Sequence, residues 1–550
     1  MKSCNVLLVS PGFPTNTFWN LAATCAVVGA RHPQIPLGLI TVAALLPAEW
    51  TCRLVDRNVA RLTNADLDWA DLVMTGGMNV QRADCLRVIE LAQARGKPVV
   101  VGGPDVTSEP DTYMHADFQV CGEAEGVIDS FVAAWCDGQR HAKFITPRSS
   151  VDISRTPVPR FDLVQRRDYL HYSVQFSRGC PFTCEFCDII ELYGRVPRVK
   201  TVAQFLGELE RLYDAGYRGH VDFVDDNFIG NKKAVKALLP ALTQWQRDRH
   251  YPFWFTTEAS LNLADDEELL QSMREANFGA VFVGIESPDA ATLIATSKKQ
   301  NTRRRIADSV HRIHAAGLFV LAGFIVGFDS ERSEIASGMI ACIEDSDIPV
   351  CTAGLLTALP NTQLYRRLER EGRLFPWSFV VDRSREIGGD QCTLGLNFET
   401  QRPRRLVLAD YKQVIDAIYR PQSYFDRVRH LAAKLPHWPP HGAASETLAR
   451  WHLLGLDDRA WHLLVRLLWG SVHAGPATFL EVTRILIWAV RLRPELLHVV
   501  GMLAAMYLHL GPFARTVSAT TARQIADIDN GMWRSPTLPI APRRTSDVAA

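Results

Sequence analysis

Two long stretches of the chain alternate short apolar segments with helical patterns, and this alternation most restricts the folds open to it. Short apolar segments bounded by glycine or proline are typical of buried strands, and amphipathic stretches between them indicate helices. Strands separated by helices form βαβ units, in which the strands are parallel. We therefore predict an α/β protein with its binding sites at the carboxyl ends of the strands.

The first stretch covers residues 1–145 and predicts a doubly wound, Rossmann-like domain. Its strand candidates are Val6–Val9, Cys52–Asp56, Leu72–Thr75, Pro98–Val101 and Phe118–Val120. Glycine follows several of these strands, where it would let the backbone approach a ligand closely. The ligand candidates at these strand ends are Gly76, Gly77, Gly102, Gly103 and Pro104. Tight turns without a ligand are the alternative interpretation.

A Pro- and Ser-containing linker is predicted over residues 146–165, and the alternation starts again over residues 166–385. The strand candidates there are Ser173–Ser177, His220–Val224, Phe253–Thr257, Ala280–Gly284, Phe319–Ile325 and Val350–Leu356. The spacing leaves room for a helix after each strand. It predicts a full or partial (β/α) barrel whose site lies at the C-terminal ends of the strands.

Strand signals then fade, and a helical region is predicted over residues 386–533. Helical periodicity is clearest in Ala449–Leu468 and Phe479–Val490. Leu496–Leu510 is apolar but shorter than the ~20 residues that span a bilayer. A buried helix is the default interpretation, and peripheral membrane contact is the alternative. Residues 534–550 are rich in Pro, Arg, Ser and Thr, which predicts a disordered tail.

Charge and cysteine content limit the partners and the compartment. The 550 residues include 60 basic and 60 acidic side chains, so no bulk attraction to nucleic acid is expected. The 12 cysteines are scattered through a long chain, and its N-terminus lacks a signal-peptide pattern. We expect a cytoplasmic protein, with association at the inner membrane face left open.

Three cysteines within eight residues are the sharpest chemical signal. Cys180, Cys184 and Cys187 follow the first predicted barrel strand. Thiolates suit zinc or iron–sulfur clusters, but a structural zinc site usually has a second Cys-x-x-Cys unit, which this sequence lacks. Three thiolates would bind three irons of a [4Fe–4S] cluster and leave the fourth iron open. Three unrelated free thiols are the trivial alternative.

The segment C-P-F-T-C-E-F-C at residues 180–187 resembles the C-x-x-x-C-x-aromatic-C signature of radical S-adenosylmethionine (SAM) enzymes. That resemblance implies that the open iron chelates SAM, and that reductive cleavage of SAM yields a radical that abstracts hydrogen from the substrate. It places Phe186 beside the cluster and the adenine of SAM. It also implies an external electron donor of the flavodoxin or ferredoxin type.

Later segments resemble further radical SAM motifs, in the order of the family's strands. The paired aspartates, the Thr-Glu-Ala-Ser segment, the Gly-Ile-Glu-Ser element and the G-x-I-x-G-x-x-x-E pattern follow one another. The SAM-binding residues that the resemblance implies are Asp225, Asp226, Glu258, Ser260, Glu286, Ser287, Gly323, Ile325 and Gly327. Paired aspartates are otherwise often helix caps or parts of solvated turns.

A doubly wound domain before such a barrel resembles the cobalamin-binding domain of B12-dependent radical SAM enzymes. The resemblance places Gly76, Gly77, Gly102, Gly103 and Pro104 where the domain would meet the corrin and the nucleotide tail of cobalamin. Mutase-type cobalamin domains carry D-x-H-x-x-G, whose histidine ligates cobalt, but the matching positions here hold Asp56, Asn58 and Arg61. We therefore expect cobalamin to bind without a histidine on cobalt. An α/β domain that binds no cofactor is the alternative.

Taken together, these features resemble the subgroup that includes hopanoid C-2 methylases. They imply methyl transfer through cobalamin to an unactivated carbon of a small, lipid-like substrate. One rival is a cyclase or rearrangement enzyme of the same architecture. A transfer-RNA methylthiotransferase is disfavoured by the helical C-terminal region and the zero net charge. A cluster- or B12-binding sensor would not need the SAM motifs.

Overall fold

The computed structural model describes residues 3–376, 391–436, 438 and 458–536. The described strands form two parallel sheets and one short antiparallel pair. The strands are β1 Asn5–Ser10, β2 His32–Gln34, β3 Thr51–Asp56, β4 Leu72–Gly76, β5 Val99–Gly102, β6 Phe118–Cys121, β7 Ala142–Ile145, β8 Tyr169–Val174, β9 Ser177–Arg178, β10 Arg198–Val199, β11 Gly219–Phe223, β12 Phe253–Glu258, β13 Phe278–Glu286, β14 Phe319–Val326 and β15 Cys351–Leu355.

Helices cover both faces of the first sheet, surround the second and make up most of the C-terminal region. Those of the α/β part are α1 Ala22–Val28, α2 Leu37–Leu45, α3 Asn64–Trp69, α4 Arg82–Gln93, α5 Pro104–Ser108, α6 Ile128–Cys136, α7 Ile189–Leu192, α8 Val202–Asp214, α9 Lys232–Asp248, α10 Glu267–Glu275, α11 Ala290–Ala295, α12 Ile306–Ala315, α13 Ile335–Asp345 and α14 Gln363–Arg370. The later ones are α15 Gln391–Leu394, α16 Arg404–Ile418, α17 Pro421–Lys434, α18 Asp458–Ala474, α19 Pro476–Leu492 and α20 Leu497–Asp529.

The first sheet is doubly wound, as predicted. Its strand order is β3-β1-β4-β5-β6-β7. Strand β3 is added on one side of β1 and β4 to β7 on the other, so the topological switch point lies between β1 and β4. Val6 and Leu8 of β1 are buried on one face, and Leu7 and Val9 on the other. Burial on both faces explains the continuous apolar run of this strand. Strand β7 was not predicted, because an edge strand with half-exposed side chains carries no core pattern.

The second sheet is a parallel partial barrel, which confirms the predicted fold class. Its order is β15-β14-β13-β12-β11-β8-β2, so a seventh strand, β2, comes from the N-terminal part of the chain. His32 pairs with Tyr169 and Gln34 with His171, while Pro33 lies between them. Proline is tolerated because β2 is an edge strand. Three residues with a central proline give no strand signal in sequence.

The first predicted barrel strand has the wrong bounds. The ladder of β8 ends at Val174, because the carboxylate of Asp225 accepts the backbone N–H groups of Phe176 and Ser177. Residues 177–178 instead form β9, which pairs antiparallel with β10. The chain therefore turns away from the sheet just before the first cysteine of the motif.

The predicted linker packs against both neighbouring units. The Gln204 side chain donates to the backbone oxygens of Ile153 and Thr156, at 3.0 and 2.7 Å. The Thr156 hydroxyl of the linker donates a 3.0 Å hydrogen bond to Glu125 of the first α/β unit. Just after the linker, the Tyr169 hydroxyl donates a 2.8 Å hydrogen bond to Asp56 of the first sheet. The exact domain limits at 145 and 165 stay a prediction.

Among the described helices, α20 is the one that is long and apolar enough to cross a membrane. Its most apolar 18-residue stretch is 67% buried within the protein. The Tyr424 hydroxyl donates to the backbone oxygen of Leu503, and the Thr24 hydroxyl to that of Ala505, at 2.8 and 3.0 Å. It is therefore a core helix that ties the N-terminal segment to α17. The predicted tail from 537 onward and the start of the predicted helix 449–468 lie outside the described residues.

Candidate functional site

The three cysteines lie on a loop that runs from β9 to α7. Gly179 begins this loop with φ 98°, and a Cβ there would lie 2.9 Å from the backbone oxygen of Gly194. Only glycine fits without strain. The backbone N–H of Cys180 donates to the same Gly194 oxygen at 3.3 Å, and that of Cys187 to the Cys184 oxygen at 3.2 Å. The loop is therefore fixed by its own backbone.

Two predicted site residues hold the start of this loop. Asp225 accepts N–H groups of Phe176 and Ser177, and Asp226 accepts that of Gly179 at 2.7 Å. Burial raises the pKa of Asp225 to about 7 and that of Asp226 to about 6. Their hydrogen bonds give both aspartates a structural task at the cysteine loop. Their predicted contact with SAM stays a prediction.

The thiols are surrounded by hydrogen-bond donors. The Asn227 side-chain amide lies 3.8 Å from Cys180 Sγ, and that of Gln300 lies 3.7 Å from Cys184 Sγ. Burial raises the pKa of all three thiols, and the Lys298 ammonium opposes that rise. Cluster ligation requires thiolates, which amide donors and a nearby cation stabilise. The donor set therefore fits an iron–sulfur cluster.

A mononuclear metal site is a different arrangement. Among the described residues, no three His, Cys, Asp or Glu side chains converge closely enough to hold one metal ion. In a [4Fe–4S] cluster each thiolate binds its own iron, so three thiols spread along one loop suit it.

Glu286 marks a break in the barrel sheet. It has φ 70°, and the register of β13 on β14 shifts between Gly284 and Glu286. Its carboxylate pairs with Lys298 at 2.8 Å, and a Cβ at Gly284 would lie 2.3 Å from that carboxylate. The next residue, Ser287, is fully buried. A non-glycine residue in this conformation is costly and often marks a functional site.

A cluster of ion pairs fixes the far side of the cysteine loop. Arg367 pairs with Glu185 at 3.0 Å and with Asp329 at 2.8 Å. The backbone N–H of Glu185 also donates to the Thr296 oxygen. The neighbouring Phe186 contacts Phe328 with ring centroids 5.6 Å apart. The predicted aromatic position on the cysteine loop thus packs next to the end of β14.

The glycine pattern on β14 closes this side of the barrel. Gly323 and Ile325 lie within the strand, and Gly327 follows it with φ 117°. A Cβ at Gly327 would lie 2.7 Å from the Leu396 side chain, and its N–H donates to Glu331 at 2.8 Å. Burial raises the pKa of Glu331 to about 7.

Side chains on the concave face of the sheet form a polar chain. Asp222 and Thr256 are register partners, and the Thr256 hydroxyl donates to the Asp222 carboxylate. His220 Nε2 lies 2.7 Å from the same hydroxyl, and its ring centroid lies 4.6 Å from that of His171. Glu258 lies two residues after Thr256, at the end of β12. Burial and the Asp222 charge raise the pKa of Glu258 well above its usual range.

Of the two predicted residues at the end of β12, Glu258 and Ser260, only Ser260 has all its hydrogen-bonding atoms paired. Within the described residues, Glu258 Oε2 is buried without a hydrogen-bond partner. Ser260 is bonded to Asn227 at 3.2 Å and to Asn262 at 2.6 Å. A buried carboxyl oxygen without a partner is costly, and a polar group of a bound ligand would satisfy it. This observation supports a ligand at the mouth of the barrel.

A cavity of about 460 Å³ lies between the two sheets. It opens at the switch point of the first sheet, where ligands of doubly wound folds bind. All five predicted ligand candidates line it: Gly76, Gly77, Gly102, Gly103 and Pro104. A Cβ at Gly76 would lie 2.2 Å from the Gly102 backbone oxygen, so the strand ends can approach only as glycines. Barrel residues Arg178 and Tyr193 line the other side.

Asn58, which takes the place of the cobalt-ligating histidine, is held by hydrogen bonds to neighbouring residues of the same domain. The Asn58 oxygen accepts the Phe13 N–H at 2.8 Å, and its amide donates to Asp56 at 2.7 Å and to the Pro11 oxygen at 3.2 Å. His32, which no sequence motif marks, also lines the cavity. Burial lowers its pKa to about 4, so it is neutral at physiological pH.

An ion-pair network links this cavity to the cysteine loop. Arg178 pairs with Glu123 at 3.0 Å and with Glu125 at 2.8 Å. Arg198 pairs with the same Glu123 at 2.8 Å. All four side chains are largely buried, and both glutamates belong to the first α/β unit. The two candidate sites are therefore mechanically connected.

Comparisons with known proteins agree with this geometry. A B12 binding domain model matches residues 23–132, a Radical SAM superfamily model matches residues 174–336, and a domain of unknown function (DUF4070) matches residues 362–523. The first two, in this order, define a cobalamin-dependent radical SAM enzyme. Its cofactors are a [4Fe–4S] cluster, SAM and cobalamin.

Two relatives narrow the class. An uncharacterised methyltransferase of Synechocystis sp. is 48% identical over 76% of this chain and 77% of its own length. A hopanoid C-2 methylase of Rhodopseudomonas palustris is 37% identical over 78% of this chain and 80% of its own. The chain belongs to the cobalamin-dependent radical SAM methyltransferases.

A solved structure supports the fold alone. The cobalamin-dependent SAM radical enzyme OxsB with aqua-cobalamin bound superposes with a TM-score of 0.58 at 15% identity, over 97% of this chain and 82% of that one.

Sequence reasoning missed several residues that shape the site: Asn227, Lys298, Gln300, Arg178, Glu123 and Arg367. Arg178 and Asn227 each adjoin a recognised motif, which was a usable signal. Gln300 lies in a short 3-10 helix, Lys299–Asn301, that follows α11, and Lys298 directly precedes it; nothing in the sequence indicates that the two reach the cysteines.

Proposed function

We propose that this methyltransferase adds a methyl group to an unactivated carbon of an apolar, lipid-like molecule. The observation that carries the substrate class is the 37% identity to a hopanoid C-2 methylase over 80% of that enzyme's length. The concave face of the barrel supplies apolar walls beside the polar chain: Trp254, Phe282, Leu321 and Ile325 are half-buried there, on the three neighbouring strands β12, β13 and β14. Such walls favour an apolar molecule with few polar groups.

Each group of residues has a separate task in this proposal. Cys180, Cys184 and Cys187 would hold the cluster, and Glu286 and Glu258 would orient SAM beside it. The glycines of the cavity would hold cobalamin. When bound, the cluster and SAM supply a hydrogen-abstracting radical, and cobalamin supplies a transferable methyl group.

The chain's own contribution is position and exclusion of water. Arg178 and Glu123 fix the distance between the cysteine loop and the cavity. The apolar walls keep water from the reacting carbon. An external electron donor of the flavodoxin or ferredoxin type would supply reducing equivalents, in a cytoplasm that keeps the thiols reduced.

The substrate class is tested by product partitioning. Purified holoenzyme is incubated anaerobically with SAM, a reductant and either the organic-solvent or the aqueous fraction of a cell extract. We expect products heavier by one CH₂ in the organic fraction only. The C180A/C184A/C187A variant is the matched control and should form none. A methylated product confined to the aqueous fraction would overturn the lipid-like substrate while leaving methyl transfer intact.

A further inference from the structure

Helices α18 and α19 form a hairpin whose outward face is apolar. They are joined at Gly475, which has φ 121°. The outward residues are Trp461, Val465, Trp469 and Val472 on α18, and Phe479, Leu480, Ile487 and Val490 on α19; each is between 40% and 67% exposed. The α18 positions follow one helical stripe, since they are spaced by four, four and three residues.

The hairpin's inward face is already satisfied by the protein core. Leu467 of α18 and Val482, Ile485 and Ala489 of α19 are buried in the main hydrophobic cluster. The outward stripe is therefore not needed for packing within the chain. Contiguous exposed apolar surface of this kind marks an interaction site in a folded protein.

The charges on the hairpin indicate what the partner is. The two helices, residues 458–492, contain four arginines, Arg459, Arg466, Arg484 and Arg491, and two carboxylates, Asp458 and Glu481. Glu481 is buried and pairs with Arg484 at 2.7 Å, whereas Arg466 and Arg491 are exposed, so the charge beside the apolar stripe is cationic. Exposed tryptophans flanked by arginines are typical of surfaces that lie at the interface of an anionic bilayer. Two copies of this face would instead bring like charges together.

We propose that the outward face of the α18–α19 hairpin binds the surface of an anionic lipid bilayer. The hairpin lies parallel to the bilayer with its tryptophans at headgroup level, and it does not cross it. This inference rests on the proposed function for its rationale, because a lipid-like substrate resides in a bilayer. Helix α20 is buried in the core, so among the described C-terminal helices the hairpin is the one that presents an exposed apolar stripe for this contact.

Vesicle sedimentation tests the proposal. Full-length holoenzyme is mixed with vesicles of phosphatidylcholine alone or of phosphatidylcholine with phosphatidylglycerol. We expect binding to the mixed vesicles that weakens as salt increases. The variant W461Q/V465Q/W469Q should bind at least about tenfold more weakly, since it removes three apolar side chains from the contact. R466Q/R491Q should lose the salt-dependent part.

The matched control is M114Q/M532Q, which removes two equally exposed apolar side chains elsewhere on the surface. It should bind like the unaltered protein. Circular dichroism and iron content should be unchanged in every variant, which separates loss of binding from loss of folding.

Equal binding by the unaltered protein and the triple variant would overturn the proposal. So would a protein that ignores anionic vesicles but forms a dimer in light scattering that the triple variant dissociates. The assay contains no substrate, so its failure leaves the methylation of a lipid-like molecule to be decided by product partitioning.

Discussion

Arg178, two residues before the first cysteine of the motif, donates a 3.0 Å hydrogen bond to Glu123 at the rim of the inter-sheet cavity. One side chain thus connects the loop expected to hold the cluster with the cavity expected to hold cobalamin. Methyl transfer needs both groups at a fixed separation. The network around Arg178 is therefore the first place where a substitution should affect both sites together.

Replacing Arg178 with Gln should lower the thermal midpoint and weaken cobalamin binding together. The change leaves Glu125 buried without its cation, which costs on the order of 3–5 kcal/mol. R178Q/E125Q should recover part of the loss. The control is R160Q, which breaks the exposed Arg160–Asp162 pair and should change neither quantity. An unaltered cobalamin affinity in R178Q would show that the Arg178 network does not couple the cysteine loop to the cavity.

Removing the amide donor to Cys184 should make the cluster harder to reduce. Gln300 donates to Cys184 Sγ at 3.7 Å, and hydrogen bonds to cluster sulfur stabilise the reduced state. Redox titration followed by electron paramagnetic resonance should give a more negative midpoint potential for Q300L. Q271L, which alters an exposed glutamine, is the control. An unchanged potential in Q300L with full iron content would show that this contact does not tune the cluster.

Glu331 should make the stability of the barrel pH-dependent. Burial raises its pKa from 4.5 to about 7, so the folded chain binds this proton more tightly than the unfolded chain. The resulting stabilisation is complete below pH 4.5 and is lost as pH rises to about 7. E331Q keeps a neutral acceptor for the Gly327 N–H. The free energy of unfolding of E331Q relative to the unaltered protein should therefore rise between pH 5 and pH 8, by up to about 3 kcal/mol. The difference between their thermal midpoints should rise over the same range. A constant difference would contradict the shift.

Bound cobalamin should have no histidine nitrogen on cobalt. Asn58 occupies the position of the mutase-type histidine, and its amide is committed to Asp56 and Pro11. The electron paramagnetic resonance spectrum of the Co(II) form should lack nitrogen superhyperfine splitting from the protein. Splitting that disappears in H32A would instead identify His32, which also lines the cavity, as a ligand.

The fold was largely predictable because strand periodicity and glycine placement are local signals. Buried β1 and the six main barrel strands stand out as apolar runs. Strand β2 could not be found, since its three residues acquire their role only by pairing with Tyr169 and His171 far along the chain. The cavity glycines were predictable from their place at strand ends.

The surroundings of the cysteines were less accessible to sequence. Lys298 and Gln300 lie more than a hundred residues after the cysteines and meet them only through the closure of the sheet. The aspartates at 225 and 226 were found by motif, yet their bonds to backbone N–H groups some 47 to 49 residues earlier in the chain form only in the folded sheet. Long-range contacts of this kind leave no spacing pattern in a single sequence.

The most direct test of the account follows the methyl group itself. Holoenzyme is incubated anaerobically with reductant, a lipid extract and SAM whose methyl group carries three deuterium atoms, and the product is analysed by mass spectrometry. The account predicts that an intact CD₃ group replaces one hydrogen of an apolar substrate, and that the C180A/C184A/C187A variant gives none. A cyclised or rearranged product without deuterium, formed by the unaltered enzyme, would contradict it.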